Sequence, residues 1–164
     1  MKLLIVDDDT WLCSALARGL VRLGHFARVA SSAESAFELA RSEGPAAVLT
    51  DLDLGPGADG IELIRRLREA GSLAPVLMMS GSDPKVARAR LRAAGLEDVH
   101  LLEKPFPFED LMKRLGEVVS DQAMAREIIE GDEPVATPRS PAPPPKGVAA
   151  FMGSVVRTLG GRVL

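Results

Sequence analysis

Five short apolar runs recur along this chain, at 2–6, 25–30, 46–50, 75–79 and 98–102, and each is followed by a segment with helical spacing. Runs of this length bounded by turn residues read as strands, and the segments between them read as helices. Asp9 or Thr10 can cap a stripe of Leu12, Cys13, Leu16, Leu20 and Leu23 that Gly24 ends, and Ser31 or Ser32 precedes Ala33, Ala36, Phe37 and Ala40. Asp59 and Gly60 open a helix carrying Ile61, Leu63, Ile64 and Leu67, and Asp83-Pro84 opens one that Gly95 stops. A last helix starts at Phe108, has Leu111, Leu115 and Val118 inward, ends near Ser120 and can fray on toward Glu130. Strand–helix units of roughly 20 to 25 residues fit parallel strands with helical crossovers, so the expected fold is a doubly wound α/β sheet covered on both faces.

The size fits that expectation. With 164 residues, 46% hydrophobic and 26% charged, the chain suits one ordinary domain, 1–120, and an appendage. A single cysteine, Cys13, cannot form an internal disulfide and reads as a small buried helix residue in a reducing compartment. No run approaches the ~18 apolar residues of a membrane span, and the start MKLLIVDDD is too short for a signal core, so a cytoplasmic protein is expected. Net charge is −3, but all 23 acids precede residue 134, while Arg139, Lys146, Arg157 and Arg162 follow it. So acidic a body does not read as a nucleic-acid binder.

The ends of the runs carry the chemistry. Asp7 and Asp8 end the first, Asp51 the third, Ser80 the fourth and Lys104 the fifth. In a parallel sheet these ends share one edge, where loops diverge and leave a crevice. Taken singly, each has an ordinary explanation as a helix cap, surface charge or turn, but together they suit one phosphoryl site. Clustered carboxylates repel unless a hard cation neutralises them, and Mg2+ takes one or two carboxylates, waters and phosphate oxygens. Asp8 and Asp51 can hold such an ion, Asp51 can attack phosphorus, and Lys104 and Ser80 can neutralise and hydrogen-bond phosphate oxygens.

The motifs IVDDD at 5–9, LTDLDLGPGADG at 49–60, LMMSGS at 77–82 and LLEKPF at 101–106 make residues 2–119 resemble the receiver domain of bacterial two-component response regulators. The resemblance implies a flavodoxin-like (βα)5 three-layer sandwich with strand order 2-1-3-4-5. It implies Asp51 as phosphoacceptor from a sensor histidine kinase or phosphotransfer protein, and a non-enzymatic signalling role. It implies Mg2+ bound by Asp8 and Asp51 directly, by Asp7 through water and by the backbone carbonyl of Asp53. Ser80 becomes the switch hydroxyl, Gly81 the small residue giving access, and Lys104-Pro105 a cis bond. Two departures stand out: the loop from Asp51 to Asp59 carries one extra residue, and Leu101 stands where many members keep an aromatic ring that turns inward.

Other readings compete with this one. The acids from Asp51 to Glu62 suggest an EF-hand loop, but Pro56 occupies the position that needs glycine. The DLD at 51–53 resembles haloacid-dehalogenase-type phosphatases, with Asp53 as acid/base, yet their second acid pair has no counterpart after Pro105. A scaffold that keeps the fold without using phosphorylation is the other class. Trp11 either packs on its helix start or faces a partner beside the acids. Residues 121–146 read as an acidic then Pro-rich linker, with six prolines in 134–145. At 147–164 the residues Val148, Phe151, Met152, Val155, Val156, Leu159 and Val163 form an amphipathic helical stripe. Such a segment fits docking on an output protein, packing on its own domain, or a weaker membrane contact. No DNA-binding module fits in it.

Overall fold

The computed structural model describes residues 1–55 and 59–130, with side chains through Met124. Five strands, β1 (Lys2–Val6), β2 (Phe26–Ala30), β3 (Ala47–Asp51), β4 (Val76–Ser80) and β5 (His100–Glu103), alternate with α1 (Thr10–Arg22), α2 (Ala33–Glu43), α3 (Gly60–Glu69), α4 (Pro84–Ala93) and α5 (Phe108–Glu130). All pairings are parallel, in the order β2-β1-β3-β4-β5, as expected. β3 and β4 are buried along their whole length, and the period-two alternation of the pleat sends neighbouring side chains to opposite faces. Leu4, Val6, Val48 and Met78 pack on one face with Leu63, Ile64, Ala87 and Leu91, while Leu3, Ile5, Leu49, Leu77 and Met79 pack on the other with Leu16, Leu20, Leu111 and Leu115. The result is three layers, α2-α3-α4, sheet, and α1-α5.

The caps sit where side-chain oxygens can satisfy the first helical amides. Asp9 accepts from the amides of Trp11 and Leu12, Ser32 from Ser35, Asp59 from Glu62 and Asp83 from Lys85, with Pro84 opening α4. At the other end of α2, Gly44 closes the helix in the left-handed region, at φ +57°.

Several expectations are corrected. Trp11 is 79% exposed, so it does not pack on the helix start; in the first turn of α1 it projects off the buried stripe of Cys13, Leu16 and Leu20. Leu23 is exposed as well, because the helix ends at Arg22 before the stripe reaches it. β5 begins at His100 rather than 98, since its pairing with β4 starts at Leu77 and His100. α5 continues through Glu130, so 121–130 is helix rather than the start of a linker. Residues 121–130, DQAMAREIIE, contain no proline or glycine to stop it. The chain divides into Met1–Asp132 and Glu133–Leu164, and the expected Pro-rich spacer and the 147–164 helix lie outside the described residues. Among the described residues no helix is long and apolar enough to cross a membrane.

Candidate functional site

The strand register brings the chemistry-bearing ends to one edge. Val6 pairs with Thr50, Asp51 with Met79, and Ser80 with Glu103, so Asp7, Asp51, Ser80 and Lys104 follow one another across β1, β3, β4 and β5. The Lys104 amide donates to the Ser80 carbonyl at 2.7 Å, closing the last step, and the Lys104-Pro105 bond is cis, as expected.

Carboxylate oxygens of Asp7, Asp8 and Asp51 all lie within 4.8 Å of one another. Their environments differ: Asp7 is 1% exposed and Asp51 is buried, whereas Asp8 is exposed. The Lys104 ammonium bridges the two buried acids, 2.6 Å from Asp7 Oδ2 and 3.3 Å from Asp51 Oδ1. Asp7 Oδ1 also accepts from the Asp9 amide, and Asp51 Oδ1 from the Leu52 amide. Burial pushes the Asp51 carboxyl above its ordinary range; the Lys104 charge pulls it down and the Asp7 charge pushes it up, and the upward influences win. Burial alone would lower the Lys104 ammonium, but its hydrogen bond to Asp7 and the charges of Asp51 and Asp7 outweigh that and hold it above its usual value.

Three close oxygen donors, two of them buried beside one lysine, make a hard, anionic set that fits a small divalent cation. Ser80 is buried on the same edge, and its Oγ accepts from the Ser82 amide at 3.0 Å. The Asp53 carboxylate does not join the cluster. It is exposed and hydrogen-bonded to Arg90 Nη1 at 2.8 Å, which leaves it ill placed to act as the acid/base of a phosphatase. Leu101 is half-buried against the α2-α3-α4 side of the core.

Close packing fixes the edge. Gly60 opens α3 directly under the end of β3: a Cβ there would lie 2.1 Å from the Asp51 carbonyl oxygen, so only glycine fits. Behind Asp7, the buried Cys13 Sγ lies 3.5 Å from the Asp7 carbonyl oxygen, to which it donates, and burial pushes the thiol up to about 11.

Residues 3–116 match the family described as response regulator receiver domain. The chain belongs to that family. This receiver domain is 29% identical over 160 residues to the response regulator MprA of Mycolicibacterium vanbaalenii, covering 85% of this chain and 68% of the relative. Against MprA of Mycobacterium avium it is 33% identical over 115 residues, covering 70% of this chain but 49% of the relative, so it spans about half that protein's length. The Vibrio cholerae chemotaxis protein CheY4 superposes with a TM-score of 0.65 at 24% identity, covering 71% of this chain and 97% of that one, a likeness of fold.

Arg90, Asp59 and Gly60 are parts of the receiver site's surroundings that sequence reasoning did not assign to it. Asp59-Gly60 was visible as a helix start; Arg90 carries no local signal, because its partners lie 37 and 31 residues away.

Proposed function

We propose that Asp51 accepts a phosphoryl group from the phosphohistidine of a sensor histidine kinase or phosphotransfer protein, and that this cytoplasmic, non-enzymatic regulator acts on its output by protein contact rather than by binding DNA. The observation that carries the reading is the meeting of Asp7, Asp8 and Asp51 oxygens with the Lys104 ammonium at one sheet edge.

A carboxylate oxygen of Asp51 attacks phosphorus in line, the P–N bond to the donor imidazole breaks, and the ring nitrogen leaves with the bonding pair; an acyl phosphate forms. Asp7, Asp8, Asp51 and the Asp53 carbonyl would hold a divalent ion, taken as Mg2+, which supplies charge neutralisation at the phosphoryl oxygens when bound. Lys104 then transfers part of its pairing from the acids to a phosphoryl oxygen through a charge-assisted bond. The Ser80 hydroxyl, at the end of the neighbouring strand, donates to another. Readout through Ser80 and the start of α4 suits a chain with leucine at 101, where no ring can turn inward. Whether an output protein is captured by residues 147–164 is decided by a pull-down comparing the full chain with Phe151→Asp: the apolar stripe, not Arg157, should carry the capture.

The test is incubation with acetyl phosphate. Intact mass should rise by one hydroxylamine-labile phosphoryl group with Mg2+, not with EDTA, and Asp51→Asn should abolish it. Persistent labelling of the Asn variant on an acid-stable residue would sink the assignment.

A further inference from the structure

We propose that Arg90 is a positioning residue for the divalent-cation site, acting through the connection between β3 and α3 and not by touching the ion. The inference rests on the cation site proposed above. Arg90 lies in the last turn of α4, and its guanidinium forks over two carboxylates of that connection: Nη1 donates to Asp53 Oδ1 at 2.8 Å and Nη2 to Asp59 Oδ2 at 3.2 Å. Asp53 and Asp59 also face each other in an isolated antiparallel bridge, so they form the neck of the loop that leaves β3 and enters α3. Asp59 meanwhile uses its other oxygen to accept from the Glu62 amide and cap α3. One planar cation thus ties both sides of the neck to α4, a geometry that a lysine cannot reproduce.

The described chain beside this neck reaches the acid cluster. Gly55, at φ +87°, packs so tightly against Asp8 that a Cβ would lie 3.3 Å from its Oδ2. Gly60, on the other side of the neck, sits against the Asp51 carbonyl. Without the fork, two carboxylates at the neck repel each other and the loop gains conformations. A binding cation must then select the competent fraction, and its apparent affinity falls by that fraction.

Charge alone predicts the opposite sign. Deleting a cation near three carboxylates should tighten divalent-ion binding, so the direction of change separates positioning from general electrostatics. The experiment titrates the full chain with Mn2+ by calorimetry, comparing wild type, Arg90→Gln and Arg90→Lys, the last keeping the charge but losing the fork. Amide hydrogen exchange of residues 52–60 without metal is followed alongside. Arg90→Gln should bind Mn2+ roughly fivefold more weakly, the sum of two partly exposed ion pairs, and exchange at 52–60 should quicken; Arg90→Lys should fall between. Unchanged or tighter binding by Arg90→Gln, with exchange unaltered, overturns the inference. No Mn2+ uptake by the wild-type chain overturns the cation site itself, a distinct result.

Discussion

Replacing Gly60 by alanine adds one methyl group at the most crowded point of the site's scaffold. Its Cβ would stand 2.1 Å from the Asp51 carbonyl oxygen and 3.2 Å from both the Asp51 carbonyl carbon and Thr50 Oγ1. Backbone cannot swing aside as a side chain does, so the start of α3 must retreat by roughly an ångström, at an overpacking cost of about 1–3 kcal/mol. The retreat also strains the bond from the Gly60 amide to the Leu52 carbonyl, 2.9 Å in the native fold, worth about 1 kcal/mol. Alanine returns at most about 1 kcal/mol of helix propensity. The net expectation is a loss of about 1–3 kcal/mol, read as a lower urea midpoint at unchanged slope. Moving the end of β3 also disturbs Asp51 relative to Asp7 and Asp8, and misplacement on the order of 1 Å can cost 10²-fold in rate. Labelling by acetyl phosphate should therefore drop even though every reactive side chain is retained. Gly19→Ala is the control: its Cβ would meet the Phe108 ring at 2.7 Å, but that ring is only half-buried and can rotate, and α1 gains propensity. Its stability should stay within about 1 kcal/mol of wild type. A Gly60→Ala protein as stable and as readily labelled as wild type would refute the reasoning, as would a Gly19→Ala protein more damaged than it.

Three further outcomes are expected. Because burial raises the Asp51 carboxyl, the native state holds that proton more tightly than the unfolded chain. The stabilisation from protonating Asp51 is complete below the unfolded carboxylate pKa and is lost as pH rises through the higher native one. With EDTA present, Asp51→Asn should therefore be more stable than wild type at neutral pH, an advantage that shrinks on acidification toward about pH 4; urea midpoints that diverge instead would contradict it. Lys104→Ala leaves the buried Asp7 carboxylate without its ammonium, costing about 2–4 kcal/mol in thermal or urea unfolding, and Mg2+ should restore stability more in this variant than in wild type. A variant that loses metal affinity would show Lys104 acting on the ion. Finally, Trp11, exposed in the first turn of α1 and the chain's one tryptophan, should tolerate Trp11→Ala with a change within about 0.5 kcal/mol; a larger loss of stability would mean it packs after all.

The sheet was legible because each apolar run stops at a residue that cannot continue it. Asp7, Asp51, Ser80 and Lys104 announced a shared edge through parallel topology alone. What the linear pattern did not carry was which of two adjacent acids turns inward: Asp7 is buried against Lys104 and Asp8 is exposed, a distinction made by a pairing across 97 residues. Arg90 escaped notice for the same reason, being one of four basic residues on α4 with nothing local to single it out. Trp11 shows that an aromatic in a helix's first turn need not pack, since burial follows the stripe of Cys13, Leu16 and Leu20 and not hydrophobicity as such. The inward spacing of α5 stops at Val118, so the sequence marks an end near Ser120 and leaves the stretch toward Glu130 open, whereas the backbone follows propensity for those ten residues more. The tightness at Gly60 depends on how closely α3 approaches β3, which no single-residue preference encodes.

The buried thiol behind Asp7 makes the receiver its own reporter. Cys13 is the chain's one cysteine and is fully buried, its Sγ held on the Asp7 carbonyl. With its pKa pushed up to about 11, only about one thiol in ten thousand is ionised at pH 7 while the fold is closed. A disulfide reagent can then react only in molecules where the packing around Cys13 has opened. Labelling kinetics at Cys13 thus clock the opening of that packing without any added probe, and their slowing by a divalent ion or by phosphorylation would measure how firmly each one seals it.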